Sequence, residues 1–203
     1  MLGCVMPRVE LPPSRRPAPW DAIVWGAPLH LGLFVHRIDG LAPGLYALAR
    51  DPAALATLRS AMHAQFAWSV PPECPADLPL RLLERGDATQ LATQLSCHQG
   101  IAGDGAFSLG MIAMVQQSMV THGPWFYRRL VWEAGLIGQV LYFEAEAAGV
   151  RATGIGCYFD DPVHQVFGLV GLAFQPLYHF TVGGPVDDPR LTTPAPYPDT
   201  TSL

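Results

Sequence analysis

Lysine is missing from this 203-residue sequence, whose twelve basic residues are all arginine. Its absence excludes every mechanism that needs a lysine Schiff base or a lysine general base. Phosphate can then be bound only by arginine side chains or by backbone N–H groups. Acidic residues number 17, the formal net charge is −5 and no basic run occurs, so nucleic acid is not expected as a partner.

Closely spaced cysteines are also missing. The four cysteines are scattered without a CxxC pair, at Cys4, Cys74, Cys97 and Cys157. Structural zinc sites usually need such pairs, so no metal site is expected. The proline-rich N-terminus has no apolar leader, which predicts a cytoplasmic protein with free thiols. We therefore expect Cys97 and Cys157 to form neither a metal site nor a disulfide.

No long apolar stretch is free of charge. The most apolar one, residues 127–150, contains Glu133, Glu144 and Glu146, which are costly in hydrocarbon, so a membrane span is not expected. The pattern instead predicts a long helix over about 127–148 that is apolar nearly all round. Such a helix lies at the centre of a domain or is covered by a second subunit.

The rest of the pattern predicts one α/β domain between two proline-rich ends. Residues 1–28 contain six prolines and are predicted to form an extended, mobile arm, residues 29–190 the domain, and residues 191–203 a tail. The predicted strands are 29–38, 45–48, 105–115, 151–156 and 177–182, and the predicted shorter helices are 51–65, 87–97 and one from Pro162.

Hydrolase and nucleotide-binding motifs are incomplete. There is no GxSxG elbow and no Walker loop, and residues 154–156 follow a strand without the third glycine of a dinucleotide fingerprint. His30, His36 and His179 lie in predicted strands and are interpreted as structural. Residues 96–99, SCHQ, lie between a helix and a strand, where binding residues often occur, although loop chemistry explains them about as well.

Five segments together resemble the nitroreductase superfamily, and within it the SagB-type, azoline-oxidising branch. They are GLAPGLYAL at 40–48, SCHQGIAGDGAFSLGMIA at 96–113, the long helix at 127–150, GIGCYFDDPVHQVFGL at 154–169 and LYHFTVGGP at 177–185. The resemblance covers roughly residues 29–190. It implies an α+β fold with an antiparallel or mixed sheet, flanking helices and a long buried central helix.

The resemblance also implies a function. It implies an FMN-dependent oxidoreductase that passes hydride through flavin N5, from NAD(P)H to an electron-poor small molecule or a modified peptide. It further implies a homodimer, or a dimer with a paralogous chain, with FMN at the interface. Backbone groups of Gly154, Gly156 and Cys157 would lie beside the flavin, and Arg190 would bind the phosphate as a charge-assisted partner. No catalytic residue is assigned.

The sequence departs from this family at its N-terminal part. The family's arginine–serine–x–arginine stretch has no good counterpart, because Ser14-Arg15-Arg16 is followed directly by Pro17. The chain is therefore expected to begin inside the family domain, through a late start, as a fragment, or as a degenerate half of a larger protein. The Lys–Tyr pair of azoline oxidases cannot exist here, which disfavours peptide-azoline oxidation. A flavin-free pseudoenzyme or scaffold subunit is the alternative.

Overall fold

Six strands form the centre of the molecule, for which a computed structural model describes residues 1–72, 74–186, 189–190 and 192. The strands are β1 (Leu29–Val35), β2 (Gly44–Leu48), β3 (Leu80–Arg85), β4 (Phe107–Ala113), β5 (Arg151–Ile155) and β6 (Gln175–Gly183). They pair antiparallel in one sheet, in the order β3-β2-β1-β4-β6-β5. The fold is α+β, as predicted.

Helices cover both faces of this sheet. In the described ranges they are α1 (Leu55–Ala61), α2 (Thr89–Leu95), α3 (Ile101–Asp104), α4 (Val115–His122), α5 (Tyr127–Ala147) and α6 (Asp160–Phe167). Because side chains alternate along a strand, β1 serves two cores. Leu31 and Leu33 pack in the core under α5, whereas Phe34 meets Phe167 of α6 with ring centroids 5.7 Å apart.

The long helix and the predicted strands are confirmed, with ends that differ by a few residues. α5 ends one residue before the predicted end. α1 is shorter than predicted, because the His63 N–H donates to the Phe167 carbonyl and turns the chain away at Ala61. β3, α3 and α4 were not predicted, since β3 is a charged edge strand, α3 has only four residues and α4 has little apolar periodicity. No helix in the described ranges could cross a membrane.

The N-terminal arm is folded onto the domain, so the prediction of an extended, mobile arm is wrong. Three short 3-10 turns follow one another, at Leu2–Val5, Pro13–Arg15 and Trp20–Ala22. Val5 and Trp20 are buried in the core under α5, and the Trp20 indole donates to the Cys4 carbonyl at 2.8 Å. The apolar residues between the prolines supply enough contact surface to dock the arm.

A buried ion pair joins this arm, the sheet and α5. Arg50, just after β2, pairs with Glu133 of α5 at 2.5 Å, and both side chains are fully buried. The Arg50 guanidinium also donates to the Val5 carbonyl and lies over the Trp20 ring. Burial raises the pKa of Glu133, against the opposing attraction of Arg50. The ionised pair is thus held by its neighbours at a high desolvation cost.

Candidate functional site

A cleft of about 390 Å³ opens where α3, β5 and the C-terminal end of β6 meet. We call it the cleft. Its walls are Ile101 and Asp104 of α3, residues 151–153 of β5, Thr181, and residues 183–186 after the end of β6. Backbone and short polar side chains therefore make up much of the lining, together with charged groups at the rim.

Two glycines form the narrow floor of this cleft. A Cβ on Gly105 would lie 2.7 Å from the Val182 carbonyl oxygen, and a Cβ on Gly183 would lie 2.8 Å from the Gly105 Cα. Side chains do not tolerate such separations, so both positions require glycine. The close approach of these backbones brings α3 against the end of β6 and sets the shape of the cleft.

The walls carry hydroxyl groups and charges of both signs. Thr153 and Thr181 are direct partners in the β5–β6 ladder, and the Thr181 hydroxyl donates to the Ile101 carbonyl at 3.1 Å. Arg151 is exposed and pairs with Glu146 at 3.1 Å, while the carboxylate of Asp104 is also exposed. The cleft can therefore offer hydroxyl and guanidinium donors to a polar ligand, but an anion must avoid Asp104.

The segment after β5, residues 156–159, is fixed by contacts to neighbouring elements, and we call it the β5–α6 loop. The Tyr158 ring stacks almost parallel on His179 with centroids 4.3 Å apart, and its hydroxyl donates to the Pro176 carbonyl. The Phe159 N–H donates to the Leu95 carbonyl at 2.9 Å. Burial raises the pKa of Tyr158 to about 12 and lowers the pKa of His179 to about 4. Both stacked rings are thus uncharged at neutral pH.

A disulfide bond joins the β5–α6 loop to the turn between α2 and α3. Cys97 and Cys157 are bonded with their Cα atoms 5.8 Å apart, a usual separation for a disulfide. The prediction that they form no disulfide is wrong. Spacing could not reveal the pair, because its members are 60 residues apart and meet only when α2 packs beside the end of β5.

An apolar groove lies on the other side of this bond, between α2 and α6. It has a volume of about 520 Å³ and includes Leu95, His98, Phe159 and Val166. His98 and Phe159 meet edge to face with centroids 6.0 Å apart. Cys157 thus lies between the cleft residues of β5 and Phe159 of the groove, whereas Cys97 is flanked by two groove residues, Leu95 and His98. Within the described ranges, no group of three His, Cys, Asp or Glu side chains could hold a metal ion.

The three residues singled out from the sequence at this end of β5 have different surroundings: Gly154 belongs to the strand, and Gly156 and Cys157 belong to the loop. The Gly154 N–H donates to the Tyr142 hydroxyl at 2.8 Å, and a Cβ on Gly154 would overlap the Tyr178 hydroxyl. Gly156 is exposed, and a Cβ there would have no neighbour within 4 Å. Cys157 is exposed too, and its carbonyl accepts from the Gln99 amide at 3.2 Å. Of these three residues, only Gly156 thus has a backbone that another molecule could approach without meeting a side chain.

Arg190 follows these residues in the sequence, beyond the end of β6. It is exposed and follows the residues that close the cleft after β6. Arg151 pairs with Gly183 in the ladder, so the chain leaves β6 beside the first residue of β5. Gly156 lies five residues further along, about 17 Å at the rise of a strand. The structure thus brings Gly154, Gly156 and Cys157 to one end of β5, and the chain towards Arg190 leaves from the other.

The residues of the cleft walls were missed from the sequence. Asp104 of α3, Thr153 of β5 and Thr181 of β6 belong to different elements, and the pairing of β4, β5 and β6 brings them together. The register of β5 against β6, which places Thr153 opposite Thr181, could have indicated them. That register depends on long-range contacts that a single sequence does not display.

No protein-family model and no curated protein matches this sequence. Solved structures do match. A protein from Anabaena variabilis assigned to the nitroreductases is 22% identical over 78% of this chain, with a TM-score of 0.59. One from Ralstonia eutropha with the same assignment is 14% identical over 85%, with a TM-score of 0.52.

A third match is to a chain in the E. coli microcin synthetase McbBCD complex, which has truncated pro-MccB17 bound. It is 16% identical over 92% of this chain, with a TM-score of 0.59. The present chain spans 27% of the Anabaena chain, 63% of the Ralstonia chain and 62% of the E. coli chain. At these identities the matches establish the architecture: the chain has the nitroreductase fold.

Proposed function

We propose that this chain carries the flavin-binding part of an FMN-dependent oxidoreductase, which passes hydride between a nicotinamide donor and an electron-poor acceptor. The observation that carries the proposal is the open backbone of Gly156, on a fixed loop at the end of β5 in a nitroreductase fold. The resemblance of residues 154–169 to the family's flavin-contacting segment supports it independently. Bound flavin would supply the hydride acceptor and donor.

The β5–α6 loop fits the edge of a flavin ring. A planar ring needs a backbone that it can approach without meeting a side chain, and Gly156 offers open space of this kind. The stack of Tyr158 on His179 and the bond from Phe159 N–H to Leu95 hold the loop rigidly. Backbone N–H groups of Gly156 and Cys157 would orient the ring, while Gly154 contributes close packing against Tyr178.

The cleft fits the sugar-like chain and the phosphate. The exposed Thr153 offers a hydroxyl group, and the exposed guanidinium groups of Arg151 and Arg190 would bind a phosphate through charge-assisted hydrogen bonds. The length of β5 separates this end from Gly156 by about 17 Å. In this arrangement Gly154, Gly156 and Cys157 serve the ring and Arg190 serves the phosphate.

A second protein chain is part of the proposal. α5 exposes large apolar side chains along one face, among them Trp132 (54% exposed) and Phe143 (67% exposed). Contiguous exposed apolar surface of this kind marks an interface. A second copy, or a paralogous chain, would cover it. The neighbour in the microcin synthetase complex supports a protein partner and leaves a peptide substrate as an alternative to a small molecule.

One observation favours the flavin-free alternative, in which the chain is a pseudoenzyme or scaffold subunit. Arg16 belongs to the Ser14-Arg15-Arg16 segment, which is the part of this sequence most similar to the family's arginine–serine–x–arginine stretch. Its guanidinium is already hydrogen-bonded within the N-terminal arm. It donates to the Leu11 carbonyl at 3.1 Å and to the Ile23 carbonyl at 2.6 Å. The N-terminal contribution to phosphate binding would then have to come from another residue or another chain.

Titration of the purified chain with FMN and with riboflavin tests the proposed function. We expect FMN to bind more tightly, because riboflavin lacks the phosphate. Arg190→Ala should weaken FMN binding by roughly 1.5–3 kcal/mol, the range for a hydrogen bond to a charged group, and leave riboflavin binding unchanged.

Two outcomes would count against this assignment. A colourless protein that rejects both ligands would support the flavin-free alternative. Equal losses for FMN and riboflavin in Arg190→Ala would show that the phosphate lies elsewhere.

A further inference from the structure

The Cys97–Cys157 bond connects two segments that each border the candidate site. Cys97 lies in the turn of residues 96–98 between α2 and α3, and Cys157 lies in the β5–α6 loop beside Gly156. We propose that this bond is a redox-reactive site, which an external dithiol opens, and that its opening releases the turn from the loop. The reaction involves only the bond and the two segments, so it does not depend on whether the chain binds a flavin.

Accessibility of the bond supports reaction with a reductant. Cys157 is exposed and Cys97 is half-buried, so a thiolate can approach the sulfur of Cys157 from solvent. Exchange requires such an approach, and structural disulfides usually avoid it by burial. The remaining cysteines, Cys4 and Cys74, are free thiols. Cys4 and Cys74 therefore serve as an internal reference when the thiols of the protein are counted before and after reduction.

Backbone conformation indicates what the bond holds in place. Cys97 and His98 have φ angles of +53° and +59°, so two consecutive residues with side chains are left-handed. This region is unfavourable for residues that carry a Cβ, and it persists where the surroundings impose it. The disulfide is the covalent restraint on Cys97. Without it, the turn can relax to the right-handed or extended region.

Other contacts between the two segments limit the release to a short stretch. The Phe159 N–H donates to the Leu95 carbonyl at 2.9 Å, at the end of α2. The Gln99 amide donates to the Cys157 carbonyl at 3.2 Å and to the Ser96 carbonyl at 2.9 Å. The first of these is a backbone bond outside the turn and stays when the disulfide opens. The movement is therefore confined to residues 96–98 and 156–158.

Reduction of the bond transfers two electrons and two protons from the dithiol to the protein. One thiolate of the dithiol attacks the Cys157 sulfur, forms a mixed disulfide and releases Cys97 as a thiolate that takes up a proton. The second thiol of the reductant then attacks the reductant sulfur in the mixed disulfide and releases Cys157 as a thiol. The reductant ends as a disulfide, and the protein ends with two new thiols.

Native-state reduction followed by alkylation and mass measurement tests the first half of the proposal. Before reduction, the folded protein should take up iodoacetamide only at the two free cysteines, Cys4 and Cys74. After treatment with dithiothreitol in the absence of denaturant, Cys97 and Cys157 should also be alkylated. Alkylation of all four before reduction, or of the bonded pair only in denaturant, would overturn the proposal.

Hydrogen exchange tests the second half of the proposal, the release of the turn from the loop. We expect exchange at Ser96, whose N–H donates to the Ala92 carbonyl, and at Gln99, whose N–H donates to the Ser96 carbonyl, to become about ten-fold faster on reduction, and exchange at Phe159 to stay unchanged. The Cys97→Ser/Cys157→Ser double variant should show the same pattern without reductant, and the matched Cys4→Ser/Cys74→Ser variant should behave like the wild type. If the first double variant fails to fold, reduced wild type still gives the answer. Exchange that does not change on reduction would contradict the proposal.

Discussion

Arg50 and Glu133 show at the scale of single residues how a buried charge depends on its partner. Glu133→Gln leaves the buried Arg50 guanidinium without its counter-charge, and breaking such a pair costs about 3–5 kcal/mol. We expect urea-induced unfolding to reveal a loss of that order. The control is Glu146→Gln, which removes the exposed Arg151–Glu146 pair and should cost less than ~1 kcal/mol. Similar losses in both variants would mean that burial does not set the strength of the first pair.

His179 predicts a dependence of stability on acid. Burial lowers its pKa in the folded protein from 6.5 to about 4, so the folded state resists protonation more than the unfolded chain does. A depressed pKa contributes stability that is present above pH 6.5 and is lost as the pH falls towards 4, by ~3 kcal/mol in total. His179→Phe should reduce this loss in urea unfolding measured across the same window. If wild type and variant lose stability in parallel, another group causes the loss. His30 is one such group, because burial lowers its pKa to about 3.

At the scale of elements, the exposed face of α5 predicts self-association. Phe143→Arg places a charge on this face and should shift the protein towards monomer, as measured by sedimentation or light scattering at micromolar concentration. The matched control is Val120→Arg on α4, an exposed apolar position (82%) on another helix, which should leave the dimer intact. A wild-type chain that is monomeric under these conditions would contradict the prediction.

Elements with a clear hydrophobic pattern could be predicted from the sequence, and elements without such a pattern could not. α5 is long and apolar, and β1, β4 and β6 are buried runs bounded by turn residues, so their patterns sufficed. β3 is an edge strand with charges at Arg81, Glu84 and Arg85, which look like loop residues in isolation. Its strand conformation comes from pairing with β2, a contact that local patterning does not reveal.

At the scale of the whole molecule, the resemblance to a family predicted the architecture, whereas local sequence patterns alone predicted only an α/β domain. The two errors, in the arm and the disulfide, share a cause. Trp20 becomes buried beneath Arg50, and Cys97 meets Cys157, only through contacts between distant parts of the chain. The site residues named from the sequence, Gly154, Gly156, Cys157 and Arg190, stay a prediction, whereas the cleft could not be predicted because it is assembled from three separate elements.

The binding of FMN to two glycine variants tests the central claim most directly. Gly156 and Gly26 are both exposed, neither has a left-handed φ, and a Cβ on either would meet no atom within 4 Å. Valine at either position should therefore leave the fold intact. If flavin lies against the β5–α6 loop, Gly156→Val will abolish or strongly weaken binding of both FMN and riboflavin, while Gly26→Val will bind like the wild type. Unchanged flavin affinity in Gly156→Val, in a variant with native unfolding behaviour, would contradict the account.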